Sequence, residues 1–312
     1  MFAVKKLRIV YGKIFFFVFT HLLNHSVRII CIPTSSLKVA THMFKISSVL
    51  IVLLISLIAC AGDTQRNYVS IAEYNSQRCF TTNSIPDHSA GPFRNGTVVK
   101  PKLLKLCITM NPQRRAQPSK LKGAMGIALN GIQFKPMTSG YFDPNTRRGH
   151  GREGDKDWSF DIAGAPDQRG LDSNNAHVGK VDSYHYHSLP MALIKKQAKK
   201  SSTLIGYAAD GFEIHYIGDA ARSSYQLKRG KRPTKVNSGN YDGTYNEDYV
   251  FVEGKGNLDQ CNMGHLNDKL VYFLTHNYPF VSRCLWGKAS KDFVRKLGSR
   301  NHIGKRRRQS ED

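Results

Sequence analysis

The sequence predicts a mainly β fold: a single β-rich domain, sandwich- or barrel-like, with long Gly/Asn/Asp-rich loops and little helix. Three observations carry this. From Tyr68 onward, short apolar or aromatic runs are broken repeatedly by Gly, Pro, Asn and Asp, the rhythm of strands and turns. Gly126 to Phe134 spells out a hairpin, with Ile127-Ala128-Leu129 and Ile132-Gln133-Phe134 flanking Asn130-Gly131. Only Met191 to Lys200 reads as helical, and no repeat or linker divides the chain from residue 68 to residue 290.

Taken in order, Asn130-Gly131 predicts a type I′ turn, because that dipeptide supplies two positive φ angles. Leu204 to Tyr207 and Phe212 to Tyr216 are strand candidates joined by Ala208-Ala209-Asp210-Gly211, and Tyr249 to Val252 and Leu270 to Thr275 follow. Residues 140 to 180, rich in Gly, Asp, Asn and Arg, read as a long loop region of the functional or mobile kind. The expected organisation is an extension over 1–42, a signal peptide over 43–59, a short polar lead over 60–78, the domain over 79–290 and a basic tail over 291–312.

Forty-six Lys and Arg stand against 23 Asp and Glu, a net charge of +23, and 40% of residues are hydrophobic. The second figure excludes a disordered chain. The first favours anionic partners such as acidic polymers or lipid headgroups, or a solvated basic surface. Nucleic acid is not expected as a partner, since no recognition motif accompanies the charge. The densest runs are Lys195-Lys196 with Lys199-Lys200, Lys228 to Arg232, and Lys305 to Arg308.

Met43-Phe44-Lys45 opens a positive segment, and Ile46 to Ala59 is then almost wholly apolar, a length that suits a signal peptide and is short for a spanning helix. Leu57-Ile58-Ala59-Cys60 resembles a bacterial lipobox, which makes Cys60 the expected lipidation site and mature N-terminus. The rival is ordinary cleavage at Ala59-Cys60-Ala61, releasing a soluble secreted protein. The lipobox accounts for more, because every position fits and the cysteine gains a role. Met43 is the expected true start, with residues 1–42 a spurious extension. Removing residues 1–59 removes seven Lys/Arg and no acid, leaving 39 cations against 23 acids and a charge of +16.

The remaining cysteines, Cys79, Cys107, Cys261 and Cys284, are even in number, which in an exported chain reads as disulfides. Three connectivities exist; Cys79–Cys107 with Cys261–Cys284 is the most local. No C-x-x-C spacing supports a cysteine metal site.

The most informative stretch is Asp182-Ser183-Tyr184-His185-Tyr186-His187. Side chains alternate along a strand, so His185 and His187 share one face and Tyr184 and Tyr186 the other. Two imidazoles so placed can reach one ion, and neutral imidazole suits zinc, copper, iron or nickel. The third ligand has to come from elsewhere: His177, after Asn174-Asn175-Ala176; His88, in Ile85-Pro86-Asp87-His88; or His215 on a strand. His-x-His is as compatible with hydrogen-bonded histidines lining a polar cleft, the tyrosines packed in the core, and metal-free acid–base chemistry is a lesser third reading. Nothing resembles a nucleophile elbow, a phosphate loop or a His-Glu-x-x-His helix.

At these residues the sequence resembles the YHYH family, named for the tetrad that stands here at Tyr184 to His187. The likeness runs in order from about residue 79 to 287. It includes Ile85-Pro86-Asp87-His88, Ala128-Leu129-Asn130-Gly131, Gly170-Leu171-Asp172, Asn175-Ala176-His177-Val178 and Leu204 to Phe212. It continues through Ser223-Ser224-Tyr225, Arg232-Pro233, Tyr241 to Tyr249, Leu258 to Asn262, Tyr278-Pro279-Phe280 and Arg283-Cys284. The resemblance implies an exported β-rich domain, often bacterial, and implies little about reaction. Two departures stand out. Glu213-Ile214-His215-Tyr216 replaces the family's Pro-Ile-Tyr-Gly, which demotes His215 as a ligand. The stretch after Asn262 is short and lacks a Gly/Pro-rich turn.

Two functions compete. One is an extracytoplasmic lipoprotein, facing the periplasm or cell surface, that holds one transition metal ion on His185, His187 and either His177 or His88. Asp87, Asp172 and Asp182 would orient the imidazoles, with Tyr184 and Tyr186 alongside, and copper is preferred over zinc because tyrosines suit redox chemistry. The other is a non-catalytic module for glycans or cell-surface polymers, supported by the aromatic content and the Asn/Asp-rich loops.

Overall fold

A computed structural model describes residues 66–294 except 94–96, 139, 166–169, 180–182 and 234–237, together with three short N-terminal strands. The chain divides into two units, 1–62 and 63–312. In the first, Val10–Tyr11, Ile14–Phe17 and Ile30–Cys31 pair as an antiparallel sheet. The signal segment 43–59, Cys60 and the tail beyond residue 294 lie outside the described residues.

Among its described residues the second unit is β-rich with one α-helix. Its first sheet is antiparallel: β1 (Val69–Tyr74), β2 (Gln77–Thr82) and β3 (Leu104–Thr109). The sheet thus begins upstream of residue 79, inside the segment read as a polar lead. Then come β4 (Ser119–Lys120), β5 (Gly126–Ala128) and β6 (Gln133–Phe134). The 140–180 region is not plain loop. It holds β7 (Tyr141–Phe142), β8 (His150–Gly151) and β9 (Asp155–Ser159), paired in the order β8–β7–β9, and then β10 (Ala176–Val178). The tetrad strand β11 (Tyr184–Tyr186) leads to α1 (Met191–Ala198), followed by β12 (Leu204–Ala208) and β13 (Glu213–His215). The chain closes with β14 (Tyr225–Leu227), β15 (Tyr249–Phe251), β16 (Met263–Leu266), β17 (Lys269–Phe273) and β18 (Cys284–Leu285).

Eight strands form the central sheet in the order β10–β11–β6–β5–β12–β13–β17–β16. It is open, with β10 and β16 at its edges, and two of its pairs, β11 with β6 and β13 with β17, are parallel. Phe80, Leu106 and Ile108 of the first sheet bury into the same core as Ile127, Phe134, Tyr186, Ile205 and Ile214 of the central sheet, a sandwich-like packing. Helix α1 starts after Pro190 and buries Leu193 and Gln197, four residues apart on one stripe, leaving Lys195, Lys196, Lys199 and Lys200 as a solvated face.

The turn at Asn130-Gly131 differs from expectation. Only Gly131 takes a positive φ, 83°. The Gly131 N–H bonds the Ala128 carbonyl, and the Ala128 N–H bonds the Ile132 carbonyl, which closes a three-residue loop ending in a left-handed glycine. The reason lies in the Asn130 side chain, whose amide is drawn inward to Asp87 and to the Tyr186 hydroxyl. The type I′ geometry appears elsewhere, at Asn75-Ser76 (φ 48° and 58°) between β1 and β2, and at Asn267-Asp268 (φ 48° and 63°) between β16 and β17. The second of these supplies the short turn after Asn262.

Cys79 bonds Cys107 across directly opposed positions of β2 and β3, Cα atoms 4.0 Å apart. Cys261 bonds Cys284, Cα atoms 5.3 Å apart, tying the approach to β16 onto β18. Among the described residues no helix is long and apolar enough to cross a membrane.

Candidate metal centre

Three histidines meet at the β10 edge of the central sheet. His177 stands directly opposite His185 in the antiparallel β10–β11 pair, so both point to one face. His187, one step beyond β11, is held by its N–H to the Asn175 carbonyl and points the same way. The Nε2 atoms of His185 and His187 lie 3.1 Å apart, as do those of His187 and His177. His185 and His187 are buried and His177 is half-buried.

These contacts cannot both be hydrogen bonds. An imidazole nitrogen offers one in-plane site, holding either a proton or a lone pair, and the His187 Nε2 is asked to serve two neighbours. His185 places Nδ1 2.8 Å from the Ser183 carbonyl, which makes Nδ1 the donor and leaves Nε2 as a lone pair aimed at the triad. With ligand atoms of all three rings within 4.8 Å of one another, a shared cation would accept lone pairs that a single proton cannot serve. Donor atoms about 2.0–2.1 Å from a tetrahedral ion stand about 3.3 Å from one another, close to the spacing found. A carbonyl acceptor on the far ring nitrogen is the usual way a liganding imidazole is oriented. Burial lowers the His187 pKa well below its ordinary value, and His185, His177 and the Arg283 cation lower it further, so this ring is held neutral, the form that ligates. The Pro136 carbonyl works the other way on His187, although the buried Nδ1 makes no hydrogen bond of good geometry.

His88, the alternative third ligand, stands apart from this group. Its Nε2 is 2.7 Å from the Tyr186 hydroxyl, and Tyr186 projects from the opposite face of β11. Two of the aspartates expected to orient the imidazoles, Asp172 and Asp87, are on that face too. Asp172 accepts from Tyr184 at 2.7 Å and from the N–H groups of Gly91, Asn174 and Ala176. Asp87 accepts from Asn130 and Lys196. Burial would raise the Asp87 pKa, but the bonds from Lys196 and Asn130 and the Lys196 charge bring it below the ordinary value. Asp182 lies outside the described residues. The strand period explains the correction: residues 184 and 186 and everything they touch are separated from 185 and 187 by the sheet itself. Both tyrosine hydroxyls are buried and stay protonated.

The sequence profile of the YHYH protein family matches residues 105–287. The chain belongs to the YHYH family. No curated protein and no solved structure matches it. In this YHYH chain the tetrad has two jobs divided by face: its histidines build the triad, and its tyrosines anchor β11 in the core through Asp172, Asn130 and His88. His215, which departs from the family pattern, bonds Glu213 at 2.7 Å and Thr203 at 2.9 Å, and it is not part of the triad.

Sequence reading missed the groups that frame the triad. Two are main-chain carbonyls, of Ser183 and Pro136, which leave no mark in side-chain chemistry. The third is Arg283, which bonds the Pro136 carbonyl and the fully buried Asp161 carboxylate. Its place beside Cys284 was the available signal.

Proposed function

We propose that this YHYH protein is exported and membrane-anchored through Cys60, and that it holds one transition metal ion on Nε2 of His177, His185 and His187. The approach of the His185 and His177 Nε2 atoms to 3.1 Å from one nitrogen, His187 Nε2, with ligand atoms of all three histidines within 4.8 Å of one another, supports the metal part of the reading. The lipobox-like Leu57 to Cys60 carries the anchoring part. With three protein ligands a fourth position is available to water or substrate, as in catalytic rather than structural sites. The argument for copper from neighbouring tyrosines loses its basis, because both hydroxyls face away from the triad. Three neutral imidazoles suit copper and zinc alike.

The test is metal analysis of the full chain after loading with copper(II) or zinc and removal of excess. One ion per chain is expected, falling at least about tenfold in His185→Ala and His187→Ala and unchanged in His88→Ala. Copper loading should give the paramagnetic signature of imidazole nitrogens. A chain that retains neither ion, or keeps it when both histidines are replaced, overturns the reading. Cys60→Ser, with loss of acyl labelling, tests the anchor separately.

A further inference from the structure

The chain enters the second unit at a tip of the first sheet whose composition is unusual. Asn83 organises this tip. Its side chain accepts from the Tyr68 N–H at 3.0 Å and donates to the Arg66 carbonyl at 2.6 Å, and its carbonyl accepts from the Lys102 N–H at 2.8 Å. Ser84 adds a bond to the Lys102 carbonyl, and Asn67 is tied to the carbonyls of Ile85 and Asn130. Tyr68, Lys102 and Leu103 are therefore held together. Leu103 is 67% exposed, Val98 64% and Tyr68 52%. Five of the ten exposed large hydrophobic side chains among the described residues fall between Tyr68 and Leu103. Arg66, Lys100 and Lys102 are exposed beside them, and from residue 88 to residue 142 the sequence carries nine Lys/Arg and no acid.

Exposed apolar and tyrosine side chains beside lysines, with Glu73 the one exposed acid on the same sheet and at the other end of its strand, form the chemistry of a surface that meets an anionic bilayer. A soluble polyanion would use the lysines but gain nothing from Leu103 or Val98. The apolar surface also runs inward from Val98 along a cleft of about 450 Å³ lined by Val99, Phe93, Pro86 and Ile85. Chain length points the same way. Arg66 is fixed by Asn83, and only five residues separate it from Cys60, six steps along the chain and a reach of at most about 20 Å.

We infer that the tip formed by Tyr68, Val98, Lys100, Lys102 and Leu103 lies on the anionic lipid surface, so that the domain is oriented on the membrane as well as tethered to it. Only the last step, from chain length, rests on anchoring at Cys60; the exposed side chains carry the rest. The test is amide exchange of the full chain with vesicles of phosphatidylcholine alone or mixed with phosphatidylglycerol, and with dextran sulfate as a soluble polyanion. Residues 66–74 and 98–105 should exchange more slowly on the phosphatidylglycerol vesicles only, while β14 and β15, which also expose apolar side chains, should not change. Replacing Tyr68, Val98 and Leu103 by Ser and Lys100 and Lys102 by Gln, all exposed positions, should abolish that protection and weaken vesicle partitioning about tenfold or more. An unchanged melting temperature would show that the variant is folded. Equal protection by dextran sulfate, or by phosphatidylcholine alone, overturns the proposal. So does absence of protection on a chain retained by its acyl group, and that result leaves the anchor standing. Protection on a chain whose Cys60 carries no acyl group defeats the anchor and leaves the tip.

Discussion

At the scale of single residues, His187 is the pivot. Its Nε2 serves two neighbours, and its ring is kept neutral mainly by burial and then by His185, His177 and Arg283. This has a consequence for stability with a definite sign. The unfolded ring titrates near 6.5, and the folded ring well below that. Above pH about 6.5 both states are neutral and the contribution is fully present. As pH falls below that value the unfolded chain binds a proton the folded chain refuses, so stability is lost towards the folded pKa. The chelator-treated protein should lose stability from this residue as pH falls from 7.5 to 5, measured by denaturant melts, and His187→Gln should flatten that slope. A wild-type profile without a fall over this range would show that the ring is not held neutral. His88, by contrast, joins a chain of polar groups running from Asp87 through Asn130 to Tyr186, and its work is to secure β11 from behind.

At the scale of elements, turn geometry decides the registers that bring the histidines together. The hairpin β5–β6 sets Gln133 beside His185 and Phe134 beside Tyr186 in the parallel β6–β11 pair. That hairpin turns on Gly131, at φ 83°, where an added Cβ would stand 2.4 Å from the Thr82 hydroxyl oxygen and 2.8 Å from the Thr82 Cβ. Gly131→Ala meets both a disfavoured backbone region and a collision with β2, and should destabilise by about 2 kcal/mol or more in denaturant melts. The same change at Gly149, which has positive φ but open space around it, should cost about 1 kcal/mol. Equal costs at the two sites would show that the contact with Thr82 contributes nothing.

At the scale of the whole molecule, the second disulfide links fold to site. Cys261–Cys284 pins the segment that pairs β18 with β4, and the residue before Cys284 is Arg283, which reaches the Pro136 carbonyl and Asp161. The buried Asp210 closes the same segment from the other side, accepting from the Tyr272 hydroxyl at 2.7 Å and the Gly287 N–H at 2.8 Å. Burial raises its carboxyl pKa even so. Replacing Cys261 and Cys284 together by Ser should cost about 2–5 kcal/mol of unfolding free energy. It should also weaken metal retention several-fold, because Arg283 and Pro136 lose their fixed place beside His187. Removing Cys79 and Cys107, on the first sheet and not on the central sheet that carries the triad, should lower stability and leave metal retention unchanged. Loss of metal in both pairs of variants would mean that the effect is global rather than passed through Arg283.

The sequence by itself determined the elements whose signal is local. Strand period placed His185 and His187 on one face and the two tyrosines on the other, and Met191 with its neighbours read as the one helix because its apolar spacing repeats every turn. The strands at Leu204, Phe212, Tyr249 and Leu270 carried the same short-range pattern. What the sequence could not decide was which distant segments come to lie beside these. His177 over His88 as the third member follows from the β10–β11 register, and a register is a relation between two strands that neither contains alone. Asn130-Gly131 misled for a related reason: its local preference for a type I′ turn was overridden when the Asn130 amide found Asp87 and Tyr186, partners 43 and 56 residues away. Asp87 and Asp172 lie behind the sheet, and the His185 imidazole is oriented instead by the Ser183 carbonyl, a group that every residue possesses. Only the folded chain selects Ser183 for that role, because what distinguishes it is position and not chemistry.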